Sequence, residues 1–223
     1  MFKALGLRKA HALFLESCRN LADGRDYWSG AGPLKKWFLQ TIVPVPLLSL
    51  HEDGQRLHEA LKHLEAQCRA CPLTEEAILD YHRRVSGKKE KGAGVYRTGP
   101  ITVVGSSITR SPGPKVPALM KQLDLKLREE QERLDATKTV DEAAVLSLAV
   151  DTYQRLGLIH PFRDANGRVA RLAMNHLLRR YAMGYVILPP LSEKSPLWEA
   201  LQKAHAGNSV DLEAFARECI SLI

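Results

Sequence analysis

The 223-residue sequence lacks several features that would place it in a specialised class. No apolar run approaches the roughly 20 residues of a membrane-spanning helix, and the amphipathic N-terminus lacks the cleavage site of a secretory signal. The four cysteines show no framework spacing, which predicts reduced thiols and a cytoplasmic location. Aromatic residues are only 6%, so no stacking stripe for single-stranded nucleic acid is evident. We therefore expect a globular protein with neither a membrane nor a nucleic acid as partner.

The composition is compatible with a sizeable core and a phosphate-bearing ligand. Hydrophobic residues make up 45% of the chain and charged residues 26%, as in ordinary globular domains. The balance of 32 basic against 25 acidic residues gives a net charge of +7. This excess favours polyanions, nucleotides included, without selecting among them.

The organisation of the chain predicts a mainly α protein with one small β-hairpin. Residues 1–53 have mixed helical and turn-rich character, and we interpret them as an N-terminal extension of a domain at 54–223. Helical spacing follows at 54–70 and 74–87, with Thr74 as N-cap and Gly87 as the closing residue. A β-branched run between glycines at 92–115 predicts two strands joined at "RTGP". Helices then resume, including an apolar central one for which Gly157 suits the C-cap.

A polar stretch, "HPFRDANGRVAR", follows that central helix and precedes another apolar helix. If the second helix begins near Gly167, the loop before it presents backbone N–H groups to an anion. Arg168 and Arg171 are three residues apart and share one face of the first turn, and Asn175 extends that face. Two guanidinium groups at a helix N-terminus are favourable only beside anions.

The same stretch carries a candidate base and a candidate metal ligand. His160 precedes Pro161, which favours an extended backbone, and its imidazole can accept a proton near neutral pH. Asp164 is an oxygen ligand suited to Mg²⁺ together with phosphate oxygens. Phe162 is interpreted as a buried anchor. A base, a metal ligand and an anion hole suit transfer of a phosphorus-centred group to a hydroxyl, although no glycine-rich GK[ST] loop is present.

The stretch resembles the signature of the Fic domain family, HPFx[D/E]GNGRxxR, at eight of its nine specified positions. The resemblance extends from about residue 54 to the end of the chain. It implies a Fic-like helical bundle with a small β-hairpin flap beside the active-site loop. It also implies Mg²⁺-dependent AMPylation, in which AMP passes from ATP to a serine, threonine or tyrosine hydroxyl of a target protein.

Residue roles follow from the resemblance by position. His160 would be the base, and Asp164 would bind Mg²⁺ between the α- and β-phosphates. Asn166 and the backbone amides through Gly167 would hold the α-phosphate, next to an anion-hole loop formed by Arg163, Asp164 and Ala165. Arg168 would hold the β-phosphate, Arg171 would hold the γ-phosphate, and Asn175 would face the nucleobase. The flap residues Thr102, Val103, Val104 and Gly105 would dock the target segment.

Two departures from the family pattern leave alternatives open. Ala165 replaces the usual glycine, which is tolerable if its φ is negative, and some relatives with alanine there transfer phosphocholine from CDP-choline. The family's inhibitory motif, [S/T]xxxE[G/N], has no clean copy; imperfect ones end at Asp53–Gly54, Glu199 and Glu213. The enzyme is therefore unrestrained, inhibited by a separate protein, or inhibited from within the extension. A binding module without catalysis is a further alternative, and a homo-oligomer stays open.

Overall fold

The computed structural model describes residues 50–87, 91–102, 109–186, 188 and 195–221. These residues form seven α-helices and one two-stranded sheet, which confirms the mainly α prediction. A 3-10 turn at Gly113–Lys115 leads into the third helix, and β1 (Tyr185–Val186) pairs antiparallel with β2 (Ile220–Ser221). Residues 1–49, most of the expected extension, lie outside the described part. The helices are α1 (Leu50–Gln67), α2 (Glu75–Ser86), α3 (Val116–Asp135), α4 (Glu142–Ile159), α5 (Asn166–Arg180), α6 (Pro196–His205) and α7 (Val210–Glu218).

Helix α2 begins and ends as its sequence predicts. The Thr74 hydroxyl accepts a hydrogen bond from the Ala77 N–H at 3.3 Å, so the cap satisfies a donor that the first turn leaves unpaired. Gly87 follows the last turn with φ of +86°, a conformation that favours glycine. These two ends determine the length of α2, whose last turn lies beside the candidate site.

Helix α4 is the central element of the bundle. It packs against α3, α5, α6 and α7, with its most extensive contact along α5. Burial on several faces explains why its sequence is apolar nearly all round, and each fully buried aliphatic side chain contributes roughly 1.5–3 kcal/mol. The polar loop between α4 and α5 is thereby attached at both ends to the helix pair with the most extensive contact. Its buried side chains include Val145, Leu146, Leu148, Val150, Tyr153, Leu156 and Ile159.

The C-terminus of α4 differs from the prediction. The helix continues past Gly157 to Ile159, and its C-cap is His160 in the left-handed region, with φ 49° and ψ 61°. The expected extended backbone at His160 is therefore wrong. Pro161 has no N–H to donate to the Gly157 carbonyl, and the imidazole Nδ1 of His160 lies 3.3 Å from that oxygen instead. The histidine side chain thus completes the helix end that proline interrupts.

The predicted strand pair joined at "RTGP" is absent from the described residues 91–102 and 109–112, which form turns and irregular backbone. The side chain of Arg97 holds the backbone here in place of strand pairing. It is only 3% exposed, and it donates to the carbonyl oxygen of Gly99 within the expected turn and to that of Ser111 beyond the expected second strand. Of the proposed flap residues, Thr102 is exposed, and Val103, Val104 and Gly105 lie outside the described residues.

None of the helices in the described ranges is long and apolar enough to cross a membrane.

The chain segments on either side of residues 100–110 meet through a glycine. A Cβ built on Gly113 would lie 2.1 Å from the Thr98 carbonyl oxygen and 2.7 Å from that of Gly99. Only a residue without a side chain permits this approach of two backbones. We call this contact the flap neck, formed by Thr98, Gly99, Ser111 and Gly113.

Gly113→Ala is expected to destabilise the domain by about 2–3 kcal/mol, because the new methyl group forces the flap neck apart. The matched control is Gly99→Ala, since a Cβ at Gly99 meets no atom within 4 Å and its φ is not in the left-handed range. Urea unfolding followed by circular dichroism measures both variants. Equal stability of the two would contradict the close approach.

Candidate active site

The loop from His160 to Ala165 begins and ends with a left-handed residue. His160 has φ of +49° and Ala165 has φ of +60°. For a residue with a side chain, this region costs about 1–2 kcal/mol, so the surrounding contacts must hold both ends. The negative φ under which an alanine would be tolerated without strain is not found at Ala165, which is the left-handed N-cap of α5.

Asn166 closes the loop with its side chain. Its Nδ2 donates to the Phe162 carbonyl, and its Oδ1 accepts from the Phe162 N–H, each at 2.9 Å. The side chain is buried, at 6% exposure, so these bonds compete little with water. The amide thereby fixes the backbone between Phe162 and Asn166, and its role toward an α-phosphate stays a prediction.

Phe162 anchors the loop in the core, as expected. It is 0% exposed, and its ring stacks on that of His82 with centroids 3.8 Å apart and planes 4° apart. The Gly94 N–H donates to Nδ1 of His82 at 2.8 Å, so the histidine also binds the segment after α2. Burial lowers the pKa of His82 to about 4, which keeps the stacked ring neutral at physiological pH. His82 was interpreted only as structural from the sequence, and no motif marks this double contact.

The imidazole of His160 is held in its neutral form. A carbonyl oxygen only accepts, so the contact with the Gly157 carbonyl assigns the proton to Nδ1 and leaves the lone pair on Nε2. Burial first, and then the positive charges of Arg110 and Arg97, lower the pKa of His160 to about 4. The ring can therefore accept a proton through Nε2 at neutral pH.

The N-terminus of α5 is suited to an anion. Its N-cap is Ala165, which has no side-chain acceptor for the N–H groups of the first turn, and that turn contains no acidic residue. Gly167 is exposed, so a ligand can approach its backbone. The positive end of the helix dipole acts at the same point.

The charged residues of the loop form a local network. Asp164 has a side chain 90% exposed, and its Oδ2 lies 3.4 Å from the guanidinium of Arg168, which is 9% exposed. Arg168 also approaches the Val85 carbonyl at 3.5 Å, and Arg171 donates to the Gly167 carbonyl at 3.2 Å. Both guanidinium groups thus lie beside the loop and α5, while Arg163 is exposed. The predicted loop residues are brought together here.

A magnesium ion fits this donor set only as part of a phosphate complex. Asp164 offers one accessible carboxylate, and Mg²⁺ commonly binds one or two carboxylates together with phosphate oxygens and water. The described part of the chain contains no cluster of three His, Cys, Asp or Glu residues that could hold a metal by itself. The residues present therefore match a metal that arrives with a nucleotide.

Asn175 lies away from this network. Its Nδ2 donates to the carbonyls of Arg171 and Val186 at 3.0 and 3.1 Å, and its Oδ1 accepts from the Val186 N–H at 2.7 Å. The side chain is 7% exposed. It both donates to and accepts from the backbone of Val186 in β1, as the backbone of a neighbouring strand would. This explains why β1 is held against α5. The proposed contact with a nucleobase stays a prediction.

A cavity of about 630 Å³ opens beside the loop, between the end of α2 and residues 91–98. Its lining includes Arg163, Asp164 and Arg168 from the loop and α5, and Arg56 and Lys91 from the other side. The charged side chains of its lining are cationic except for Asp164, so the charge of the cavity is predominantly basic. It is large enough to admit phosphate groups at Asp164.

The imperfect copies of the inhibitory motif fall in different places. Glu213 accepts from the hydroxyls of Ser147 and Ser209 at 3.0 and 3.1 Å, so it joins α7 to α4. Glu199 lies in the first turn of α6. The side chain of Asp53 lies outside the described residues.

Comparison with known proteins identifies the family. Residues 72–178 match the family model described as Fic/DOC. This chain carries a domain of the Fic family. The chain is 32% identical over 185 residues to a protein adenylyltransferase Fic from Drosophila mojavensis, covering 81% of this chain and 35% of that protein. A protein of the same name from Nematostella vectensis is 28% identical over 186 residues, with coverage of 81% and 41%.

The fold agrees with solved Fic structures. A structure of Fic-1 from C. elegans matches 98% of this chain and 69% of that chain, with a TM-score of 0.65 and 23% identity. At this identity the likeness concerns the fold alone. The chain spans little more than a third of the length of the curated relatives from Drosophila. The Fic domain is thus established, and the activity of the protein is a matter for proposal.

Ala165→Gly is expected to leave stability within about 1 kcal/mol of wild type. Relief of the left-handed alanine, about 1–2 kcal/mol, offsets the lost burial of a methyl group and the greater freedom of unfolded glycine. The matched control is Ala173→Gly, a fully buried alanine inside α5, which loses its methyl group and helix propensity, about 2 kcal/mol together. Urea unfolding compares them; equal losses would argue against strain at Ala165.

Proposed function

We propose that this Fic domain transfers AMP from ATP to a serine, threonine or tyrosine hydroxyl of a target protein. The observation that carries the proposal is a neutral imidazole at one end of the loop and a helix N-terminus without a side-chain cap at the other. The adenylyltransferase names of the Drosophila and Nematostella relatives support the same activity.

His160 is the base of the proposed reaction. Its Nε2 accepts the proton of the target hydroxyl as the hydroxyl oxygen forms a bond to the α-phosphorus. The bond between the α-phosphorus and the bridging oxygen then breaks, and pyrophosphate carries away that electron pair. The Nδ1 contact with Gly157 keeps the lone pair of Nε2 available throughout.

The N-terminus of α5 stabilises the charge that develops on the phosphate. In this proposal, the backbone N–H groups from Asn166 through Arg168 bind the α-phosphate, and Arg168 and Arg171 bind the phosphates beyond it. Asp164 would hold Mg²⁺ against the phosphate oxygens; when bound, the ion neutralises their charge. Its side chain is 90% exposed, which supports this role.

The alternative donor is CDP-choline, with transfer of phosphocholine. The observation that favours it is Ala165, whose methyl group stands in the left-handed position where the family usually has glycine. Ala165 is only 6% exposed, so its methyl group is largely buried. Donor choice therefore requires measurement.

Incubation of the domain with Mg²⁺ and ATP is expected to add the mass of one or more AMP groups to the protein itself or to an added acceptor protein. His160→Ala is expected to lower the rate by at least about 100-fold, because the general base is lost. Intact-mass spectrometry measures both, and CDP-choline replaces ATP in a parallel reaction.

The matched control for this variant is His63→Ala, a histidine on α1 that faces Asp80 at 2.9 Å, away from the loop. It should react at the wild-type rate. A gain of phosphocholine alone would select the alternative donor. Transfer that persists in His160→Ala would contradict the proposed base.

The pH dependence of kcat/KM should show the lowered pKa of His160. The base acts only when unprotonated, and its pKa of about 4 in the folded protein predicts a rate that stays level from pH 8 to about 5.5. Arg110→Gln removes a positive charge that lowers this pKa, so the acidic loss of rate should move to higher pH. A midpoint at 6.5 in wild type would contradict the buried, neutral imidazole.

Stability must be followed at each pH, because His82, His160, His176 and His205 all have pKa values lowered to about 4. Between pH 6.5 and 4 the unfolded chain binds protons that the folded chain does not, so stability falls as the pH falls. Circular dichroism at each pH separates this unfolding from protonation of the base.

A further inference from the structure

We propose that Arg97 is a positioning residue that holds His160 in its reactive orientation. It does so through hydrogen bonds to the backbone at the α4 terminus and to the backbone of the flap neck. This inference rests on the proposed role of His160 as base. Arg97 lies outside the "HPFRDANGRVAR" stretch, and its neighbours in sequence gave no indication of a contact with the loop.

The first argument is the set of acceptors that Arg97 binds. Its guanidinium donates to four main-chain carbonyls, and its own backbone N–H donates to the Pro161 carbonyl at 2.9 Å. Three of these five acceptors are consecutive residues at the end of α4: Ile159 at 3.0 Å, His160 at 2.6 Å and Pro161. The other two, Gly99 and Ser111, belong to the flap neck.

The second argument is a full account of the carbonyl groups at this helix end. The Leu156 carbonyl accepts from the His160 N–H at 2.9 Å, and the Gly157 carbonyl binds the imidazole. The Leu158 carbonyl accepts from the Ser111 N–H at 3.2 Å. Arg97 supplies the donors for the next three residues. A helix terminus normally leaves such carbonyls to water or to caps, and here one arginine binds half of them.

The third argument is the geometry at His160. Its N–H is bound to Leu156 and its carbonyl to Arg97, so both peptide planes that meet at its Cα are held. Those planes fix the direction of the Cα–Cβ bond, and the Gly157 contact fixes the ring. A left-handed histidine persists only when its surroundings hold it in this way. Loss of the arginine would let the backbone turn and carry the imidazole with it.

The fourth argument is that no other side chain can replace arginine here. Its acceptors lie on separate chain segments, and the planar fork of a guanidinium reaches them simultaneously. A lysine keeps the charge beside the negative end of α4 but places all its donors at one point. Arg97→Lys therefore keeps the positive charge and removes most of the hydrogen bonds that hold the backbone, so the two effects can be measured separately.

The test compares Arg97→Lys with the matched control Arg133→Lys, an exposed arginine of α3 that pairs with Glu130. With Mg²⁺ and saturating ATP, Arg97→Lys should lose about 100-fold in kcat, the effect of displacing a reacting group by about 1 Å. Its Kd for ATP should stay within threefold of wild type. Arg133→Lys should match wild type in both. A variant with unchanged kcat, or with kcat and ATP affinity lost in proportion, would overturn the proposal.

A spectroscopic arm is independent of activity. Nitrogen-15 NMR of the His160 ring at pH 7.5, assigned with His160→Ala, should show the Nδ1–H form in wild type and averaging of both tautomers in Arg97→Lys. An unchanged ring spectrum in the variant would overturn the proposed role of Arg97. If wild type transfers no group, the proposed function fails, and this arm still decides the role of Arg97.

Wild-type protein alone provides the remaining measurement, should Arg97→Lys fail to fold. The amide hydrogens of Arg97, Ser111 and His160 are all bound at the α4 terminus, so they should exchange as slowly as those inside α4. Rapid exchange at these three amides, as in an ordinary surface loop, would refute the proposed hydrogen bonding of Arg97 at the α4 terminus.

Discussion

The contact between the His160 imidazole and the Gly157 carbonyl replaces the hydrogen bond that Pro161 cannot make, and the rest of the site depends on it. Proline stops the helix, the left-handed histidine turns the chain, and the helix end remains satisfied because a side chain takes the place of a backbone donor. The same contact selects the tautomer of the ring. A structural requirement and a chemical one are thus met by a single hydrogen bond.

The loop that follows is held by contacts on three of its sides. Asn166 closes it from α5, the ring of His82 stacks on Phe162 from α2, and Arg97 binds its first residues from the segment before the flap neck. These partners come from distant parts of the sequence and share no motif. Rigidity of this kind favours phosphoryl chemistry, where catalysis depends on positioning and on oriented dipoles more than on covalent steps by the protein.

Charge is distributed around the loop in a way that suits a phosphate ligand. Arg168 and Arg171 lie beside the loop on backbone and carboxylate oxygens, and Asp164 is directed toward solvent. The imidazole of His160 is kept neutral by burial and by nearby arginines. The adjoining cavity has Arg163 and Arg168 in its lining together with Asp164, so an anion that enters it meets guanidinium groups beside the loop.

The sequence by itself determined the mainly helical class, the caps of α2, the buried character of α4, the anchor at Phe162 and the membership of the Fic family, because these depend on local periodicity and on a contiguous motif. Tertiary structure alone decided where α4 ends, the left-handed backbone at His160 and Ala165, and the hydrogen bonds made by His82, Arg97 and Asn175. His82, Arg97 and Asn175 each bind backbone groups that folding brings close from elsewhere in the chain, and the end of α4 is held by Arg97 and Ser111. Local propensity contains no information about such a partner. The β-branched residues and glycines around "RTGP" predict a hairpin locally, whereas the described backbone there is irregular and is bound by the side chain of Arg97.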